Sequence, residues 1–306
     1  MARRGPAVMI AAVVVGLSSP MMLPATAQSP APAPHDQEVE RVVIGPATGD
    51  QLHVMTFNLR FASVTEPNSW ARRRPVMAEL LDREQPTVLA TQEGVYPQLR
   101  ELARDLPRGY DWIGAGRDGG SRGEFMAVFY DTARLEPVAY DHFWLSDTPA
   151  LAGSRTWGNR IPRMVTWVRF LDRRTGAEFV VVNTHLDDRS ANARLLAARL
   201  LRTRITAFGE DLPVLLTGDF NVAAGASDVY ALLTEELTDT WTAAGRRGPV
   251  FATWHGYRPL RPGGERIDWI LARGPVEVAA VAVNTFARHG QFPSDHLPVQ
   301  ALVSLG

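Results

Sequence analysis

The sequence predicts an α/β protein, a four-layer α/β-sandwich of two packed, mainly antiparallel sheets flanked by helices. Three observations carry that expectation. A strand, loop, helix, strand pattern occurs twice; each copy ends two buried strands in polar residues; and segments between the copies alternate with the period of antiparallel strands. Two such halves bury their apolar faces by packing sheet on sheet with the helices outside, rather than as one barrel.

Along the chain, His53-Val54-Met55-Thr56-Phe57-Asn58 is β-prone and ends polar. Residues 70–84 carry Val76, Met77, Leu80 and Leu81 on one helical face, with Pro75 tolerable only near the first turn. Thr87-Val88-Leu89-Ala90-Thr91-Gln92 is a short buried strand that finishes at Glu93. Residues 125–130 and 164–170 alternate as antiparallel strands, and Glu136-Pro137 between them reads as a turn. Residues 144–157, polar and containing Gly and Pro, read as a surface loop. The pattern returns in Phe179-Val180-Val181-Val182-Asn183-Thr184, which ends at His185, and in a helix over 192–208 presenting Leu196, Leu200 and Leu201. Pro213-Val214-Leu215-Leu216-Thr217-Gly218 then leads to Asp219 and Asn221, and residues 267–271 and 298–303 read as closing strands of the second sheet. Strand ends are where α/β architectures gather ligand-binding groups.

Composition narrows the function classes. Of 306 residues, 45% are hydrophobic and 21% charged, which supports a core and excludes a chain disordered throughout. Basic and acidic side chains number 32 and 33, so no global positive field holds long nucleic acid non-specifically. Lysine is absent, and arginine, which suits bidentate phosphate contacts, is the only cation apart from histidine. With no cysteine there is no disulfide, thiolate nucleophile or zinc-thiolate site.

The N-terminus reads as a targeting segment. Arg3 and Arg4 precede an apolar run over 7–17, a break at Ser18-Ser19-Pro20, and the small residues Ala25-Thr26-Ala27 before Gln28. The run is shorter than the roughly 20 residues of a membrane span, so residues 1–27 are expected to be a cleaved signal peptide, leaving no stable membrane anchor. Export to the periplasm or the outside of the cell is the matching expectation. Residues 28–50, with Pro30, Pro32 and Pro34, read as a flexible tether, and residues 51–306 as the domain.

Asn58, Glu93, His185, Asp219, Asn221, Asp268, Asp295 and His296 are the polar residues that could carry chemistry. Singly they have plainer readings: Asp219 with Asn221 as an Asx-turn, Asp295-His296 as a turn and cap, Glu93 as a surface acid. Asp268 differs, because a carboxylate flanked by apolar strand residues needs a partner when buried. As a set, carboxylates and carboxamides are hard oxygen ligands suited to Mg²⁺ or Mn²⁺, whereas zinc would want more histidine or cysteine at short spacing. No H-E-x-x-H, Walker A loop or G-x-S-x-G elbow is present, and metal-dependent phosphoryl chemistry fits best. Ser294, Asp295 and His296 cannot form a triad, since adjacent side chains of an extended segment point to opposite faces.

Thr56-Phe57-Asn58, Gln92-Glu93, Asn183-Thr184-His185, Gly218-Asp219-Phe220-Asn221, Ile267-Asp268 and Ser294-Asp295-His296 stand in a telling order. Their order and spacing resemble the endonuclease/exonuclease/phosphatase superfamily, metal-dependent phosphohydrolases that look like deoxyribonuclease I. The similarity spans about residues 52–303. Gly123-Glu124-Phe125, Phe143-Trp144-Leu145-Ser146 and Thr253-Trp254-His255-Gly256 make the chain most similar to the exported bacterial branch. The resemblance implies a four-layer sandwich, a divalent metal (Mg²⁺ or Mn²⁺) and hydrolysis of a phosphate ester by in-line attack of water. A phosphodiesterase or nuclease is the first reading; the alternatives are a phosphomonoesterase and a catalytically inactive secreted binding module.

The resemblance also implies roles. Glu93 is the principal metal ligand, with Asn58 beside it and Asp295 completing the site. Asp219 orients or deprotonates the attacking water and is held by Asn221, while His185 and Asn221 bind phosphate. His296, paired to Asp268, is a charged donor to the phosphate or a general acid. Arg60 stands where repair-type nucleases often carry an acid, which argues against a second metal ligand there. Candidate substrate contacts are Arg122, Trp157, Arg163 and His255; Arg155, Trp144, Trp254 and the Arg72-Arg73-Arg74 run are further ones. Tyr130 either borders the site or packs in a core strand. The substrate class is a phosphate ester, nucleic acid and nucleotide included, and the near-neutral charge favours a small or short phosphodiester over long duplex DNA.

Overall fold

The computed structural model describes residues 1–2 and 44–306, so nearly all of the expected signal peptide and most of the expected tether lie outside the described residues. The last residues of that tether belong to the domain instead. Gly45 N donates to Glu84 Oε2 (2.9 Å), and Arg134 donates to the Asp50 carbonyl (2.9 Å). No helix among the described residues is long and apolar enough to cross a membrane.

The first run of elements is β1 (Leu52–Asn58), α1 (Trp70–Glu84), β2 (Val88–Val95), α2 (Tyr96–Asp105), β3 (Tyr110–Ile113) and β4 (Glu124–Asp131). Then come β5 (Leu135–Trp144), β6 (Met164–Asp172), β7 (Glu178–His185), α3 (Ala191–Thr206) and β8 (Val214–Asp219). α4 (Asp228–Leu233), β9 (Thr238–Asp239), α5 (Thr240–Ala243) and β10 (Arg246–Arg247) follow, and β11 (Asp268–Arg273), β12 (Val276–Val283) and β13 (Val299–Leu305) close the fold. Seven strands form one sheet in the order β10-β12-β13-β1-β2-β4-β3, and six form the other in the order β5-β6-β7-β8-β11-β9. Both sheets are mixed. β1 pairs parallel with β2 and β7 with β8, because a helical crossover returns each chain to the edge it left. β10 and β12 are also parallel, and the remaining pairings are antiparallel.

The core occupies three levels. Leu52, Val54, Val88, Phe179, Val181, Leu215, Ile270 and Val303 interdigitate between the sheets. Met55, Phe57 and Leu89, of opposite parity, meet Leu80, Leu81, Leu99 and Leu102 of α1 and α2 on one outer face. Val180, Val182, Leu216 and Leu271 meet Leu201 and Ile205 of α3 and Val229 and Leu233 of α4 on the other. Helix, sheet, sheet and helix are thus the four layers expected.

Four local expectations need correction. Residues 298–303 do not close the second sheet; β13 lies in the first, between β1 and β12, in the register Leu52↔Val303. An alternating apolar strand carries no mark of which sheet will accept it. Glu136-Pro137 is no turn but part of β5, where the ladder shifts register between Pro137 and Ala139. β5 is an edge strand, where a residue without an amide donor is tolerated, especially at a bulge. Trp144 is buried rather than in a surface loop, and its indole donates to the Arg117 carbonyl (2.6 Å). Pro75 sits in the second turn of α1, on the exposed side, where the carbonyl it leaves unpaired meets solvent.

Two contacts generate predictions. In β8, Gly218 lies opposite Thr184 of β7, and a Cβ on it would come 2.3 Å from the Thr184 carbonyl oxygen. Gly218→Ala is expected to cost about 1–3 kcal/mol through forced strand displacement; an unchanged urea midpoint would refute the tight approach. Beneath α1, His53 is fully buried, its Nδ1 facing the Glu84 carbonyl (3.1 Å) and its Nε2 facing Gln300 Nε2 (3.0 Å). The amide donates, so Nε2 is bare and the ring is neutral. Burial lowers its pKa to about 4. The unfolded chain therefore takes up this proton first as pH falls, and the stabilisation present above about pH 6.5 drains away toward pH 4, by about 3 kcal/mol in all. His53→Gln should flatten that part of the stability–pH curve measured by urea unfolding; parallel curves for the two proteins would show that His53 titrates normally.

Candidate active site

Strand parity assembles the site. Residues an even number apart on a strand share a face. The faces that pack Val54, Val181, Leu215 and Ile270 between the sheets end, at one end of the sandwich, in Asn58, His185, Asp219 and Asp268. On β2 the same face carries Gln92, whose amide crosses to Asn183 Oδ1 (2.7 Å) and bridges the sheets below the site. Strict alternation would send Glu93 to the outer face. A register shift between Thr91 and Gly94 and a φ of +62° at Glu93 bring it to the site instead, as bulges do when they re-aim a side chain.

Asp219 is the centre of this cluster. Asn58 Nδ2 donates to its Oδ2 (2.9 Å), and the Asn221 amide donates to its Oδ1 (2.9 Å). His185 Nε2 stands 3.6 Å from Oδ2 and 3.0 Å from Asn221 Nδ2. His296 Nε2 lies 3.7 Å from the same carboxylate, while its Nδ1 meets Asp268 Oδ2 at 3.0 Å. Thr253 Oγ1 takes the Asp268 amide (3.1 Å) and so fixes the strand start that carries this pair.

Burial and charge set the protonation. Burial, then the neighbouring Asp268, raise the Asp219 pKa to about 7. For His296, burial disfavours the charged ring, but Asp268 and Asp219 outweigh it and lift the pKa to about 10, so the imidazolium persists at neutral pH. His185 goes the other way, pushed well down by burial and then by Arg163 and His296, and is neutral. Two histidines of one site thus hold different charges.

Asn58 Nδ2 also donates to Glu93 Oε1 (2.9 Å), so one amide spans both carboxylates. Ligand atoms of Glu93, His185 and Asp219 all lie within 4.8 Å of one another, as do those of Asp219, Asp268 and His296. The cavity is lined by five acids, Glu93, Glu124, Asp188, Asp219 and Asp295, against Arg60, Arg117, Arg163 and His296. A phosphate adds further negative charge to that balance, so a divalent cation among these hard oxygen donors fits the residues present. Asp295 is engaged differently from its expected ligand role, because Arg60 forms an ion pair with its Oδ2.

The cavity encloses about 420 Å³. Of the expected substrate contacts, Arg163 lines it, buried and paired with Asp187 (3.6 Å) and Asp188 (3.0 Å). Arg122 does not; its guanidinium turns back onto the Asp118 carbonyl of its own loop (2.9 Å). Trp157 packs against the α3 side of the second sheet and donates to Asp147, and His255 borders a neighbouring concavity. Tyr130 is a core residue against Phe170. The arginine run lies outside the cavity: Arg72 and Arg74 pair with acids and Arg73 is buried beneath the rim. Sequence reasoning missed Arg117 and the contacts of Arg60 and Asp188. Glu124 and Asp188 had a signal, one in the Gly123-Glu124-Phe125 motif and one just after His185; Arg117, in a glycine-rich loop, had none.

A profile of the Endonuclease/Exonuclease/phosphatase family matches residues 55–296, and the chain belongs to that family. Within the matched span, the buried Asp/His cluster is a candidate metal site. Among solved structures, a mannosyl-6-phosphatase of Bacteroides thetaiotaomicron is 32% identical with a TM-score of 0.78, over 83% of this chain and 100% of that one. An uncharacterized protein L388 of Acanthamoeba polyphaga mimivirus is 28% identical over 54% of this chain and 63% of its own. Nocturnin of Drosophila melanogaster is 26% identical over 64% of this chain and 32% of its own. The chain thus spans less than two-thirds of the length of these curated relatives.

The Asp268–His296 pair can be tested without substrate. Asp268→Asn should lower the His296 pKa from about 10 by about one to three pH units, read by NMR titration of the metal-free protein. An unmoved titration would show that Asp268 is not what keeps the ring charged.

Proposed function

We propose that this chain hydrolyses phosphate esters by in-line attack of water with a divalent cation, Mg²⁺ or Mn²⁺, and no covalent enzyme intermediate. The observation that carries the reading is Asp219, buried and held on both oxygens, with a charged His296 and a neutral His185 beside it. Glu93, with Asp219 near, would hold the cation; Asn58 would join by turning its amide to present Oδ1, and Asp295 through Oδ1, its Oδ2 being paired with Arg60. A cation held there would supply Lewis-acid polarisation of a phosphoryl oxygen. Asp219 orients the water and takes its proton, a role suited to a carboxylate titrating near neutrality. His296 donates a charged hydrogen bond to the phosphoryl group; with its pKa near 10 this fits better than general-acid transfer. His185 and Asn221 complete the phosphate pocket.

The mannosyl-6-phosphatase among the similar structures moves a small phosphomonoester, a sugar phosphate, ahead of the phosphodiester as the first substrate class. The cavity volume, about 420 Å³, accommodates a small ester. The N-terminal pattern supports export of the mature domain. An inactive binding module is disfavoured, because every residue of the catalytic set is present and converges.

The test is metal-dependent turnover by the protein cut after Ala27, with mannose 6-phosphate and an aryl phosphodiester compared side by side. Activity should need Mg²⁺ or Mn²⁺, vanish with a chelator, and fall by about 10²-fold or more in Asp219→Asn and in His296→Ala. Near-normal rates in both folded variants would overturn the assignment.

A further inference from the structure

We infer that the concavity beyond Trp254 is a second subsite, one that receives an additional sugar unit of a phosphorylated saccharide. This rests on the phosphohydrolase reading. A cavity of about 420 Å³ lined by Trp254, His255, Arg258, Arg261, Glu265 and Ile267 adjoins the catalytic one, and Trp254 and Ile267 line both. A ligand reaching from the Asp219 cluster into the neighbour passes the indole.

Trp254 is 47% exposed, whereas none of the other seven tryptophans is exposed. An indole at the mouth of a cavity offers a large flat apolar face with a polar edge, a surface on which a ligand ring packs. Its backbone is fixed to the catalytic groups: Trp254 bridges to His296, and the amides of His255 and Gly256 donate to the Asp295 carbonyl (2.9 and 3.2 Å). Gly256, at φ +56°, brings backbone against the ring, where a Cβ would stand 3.2 Å from it. The Arg258 guanidinium lies 4.9 Å from the ring centroid and donates to the His255 carbonyl (3.3 Å). The platform is therefore stiff and registered to the chemistry.

The polar walls favour a neutral polyol. Arg261 and Glu265 are exposed, and neither forms an ion pair among the described residues. A sugar offers an apolar C–H face to the indole and hydroxyls that donate to a carboxylate and accept from a guanidinium. A second nucleotide would also stack on the indole, with Arg258 and Arg261 beside its phosphate; the mannosyl-6-phosphatase among the similar structures is what puts the sugar first.

The test compares kcat/KM for mannose 6-phosphate with that for a mannobiose phosphorylated at the same position of its terminal unit. The disaccharide should be preferred by about tenfold or more, and the preference should shrink to within about threefold in Trp254→Ala and in Glu265→Ala, the size of one good aromatic contact. Equal kcat/KM values in the unaltered protein, or a preference retained by both variants, would overturn the subsite. Preference for a dinucleotide bearing a terminal phosphate, lost in the same variants, would overturn the sugar in favour of nucleic acid. If no ester is turned over, the catalytic reading fails, and unphosphorylated mannobiose decides the subsite by itself. Movement of the Trp254 indole N–H resonance by millimolar mannobiose, reduced in Glu265→Ala, supports it, and an unmoved resonance refutes it.

Discussion

The buried carboxylate of Asp219 is the constraint around which the domain is arranged. At 1% exposure it needs donors close by to remain ionised, and no single sheet supplies them. Asn58 reaches it from the end of β1, the Asn221 amide from the turn after β8, and His296 from the segment entering β13. β1 and β13 belong to the first sheet and β8 to the second. The sheets must therefore meet in one registration for this carboxylate to be satisfied. Apolar interdigitation in the middle of the sandwich and polar satisfaction at its end are one requirement, met at two levels.

A second buried charge holds the rim. Arg73 is 0% exposed and donates to the carbonyls of Leu59 (2.7 Å), Phe61 (2.9 Å), Asn68 (3.0 Å), Pro293 (3.1 Å) and Arg60 (3.2 Å). Among the described residues it forms no ion pair; backbone dipoles, the Trp70 ring 5.3 Å away and the more distant charges of Asp295 and Glu93 oppose its desolvation. Those carbonyls lie in the turn after Asn58, just before α1 and in the turn before Asp295. One planar guanidinium thus ties together the two segments whose side chains, Arg60 and Asp295, pair across the cavity. An ammonium, with three donors at a single point, could not span them.

Most of the fold was legible because its signals are local. Period two located the strands, period 3.6 found α1 and α3, and polar residues at strand ends marked the site. What escaped depended on partners far along the chain. β13 looked like any alternating strand until β1 accepted it, and Pro137 looked like a turn because nothing in its neighbours announces an edge position. The site showed the same division. Asn58, Glu93, His185, Asp219, Asn221, Asp268 and His296 were readable as a spaced set, whereas the pairing of Asp295 with Arg60 spans 235 residues. Arg122 and Arg117 lie in one loop and are indistinguishable as letters; only the folded loop turns one inward.

The pairing of the cavity arginines bears on what the site selects. Arg60 is held by Asp295, Arg117 by Glu124, and Arg163 by Asp187 and Asp188. A guanidinium so matched keeps its orientation but projects little field beyond the cavity, in line with a chain whose 32 basic and 33 acidic groups nearly cancel. Capture of a long polyanion by counterion release has little to work with. Selection falls instead to short-range groups: the His296 imidazolium, the donors around Asp219, and a cation whose binding the carboxylates favour. Such groups act only on a phosphate already seated in the cavity. On the proposed reading, specificity comes from the shape and chemistry of what is attached to that phosphate, and the exposed indole of Trp254, bridged to His296 through the backbone, lines both the catalytic cavity and its neighbour.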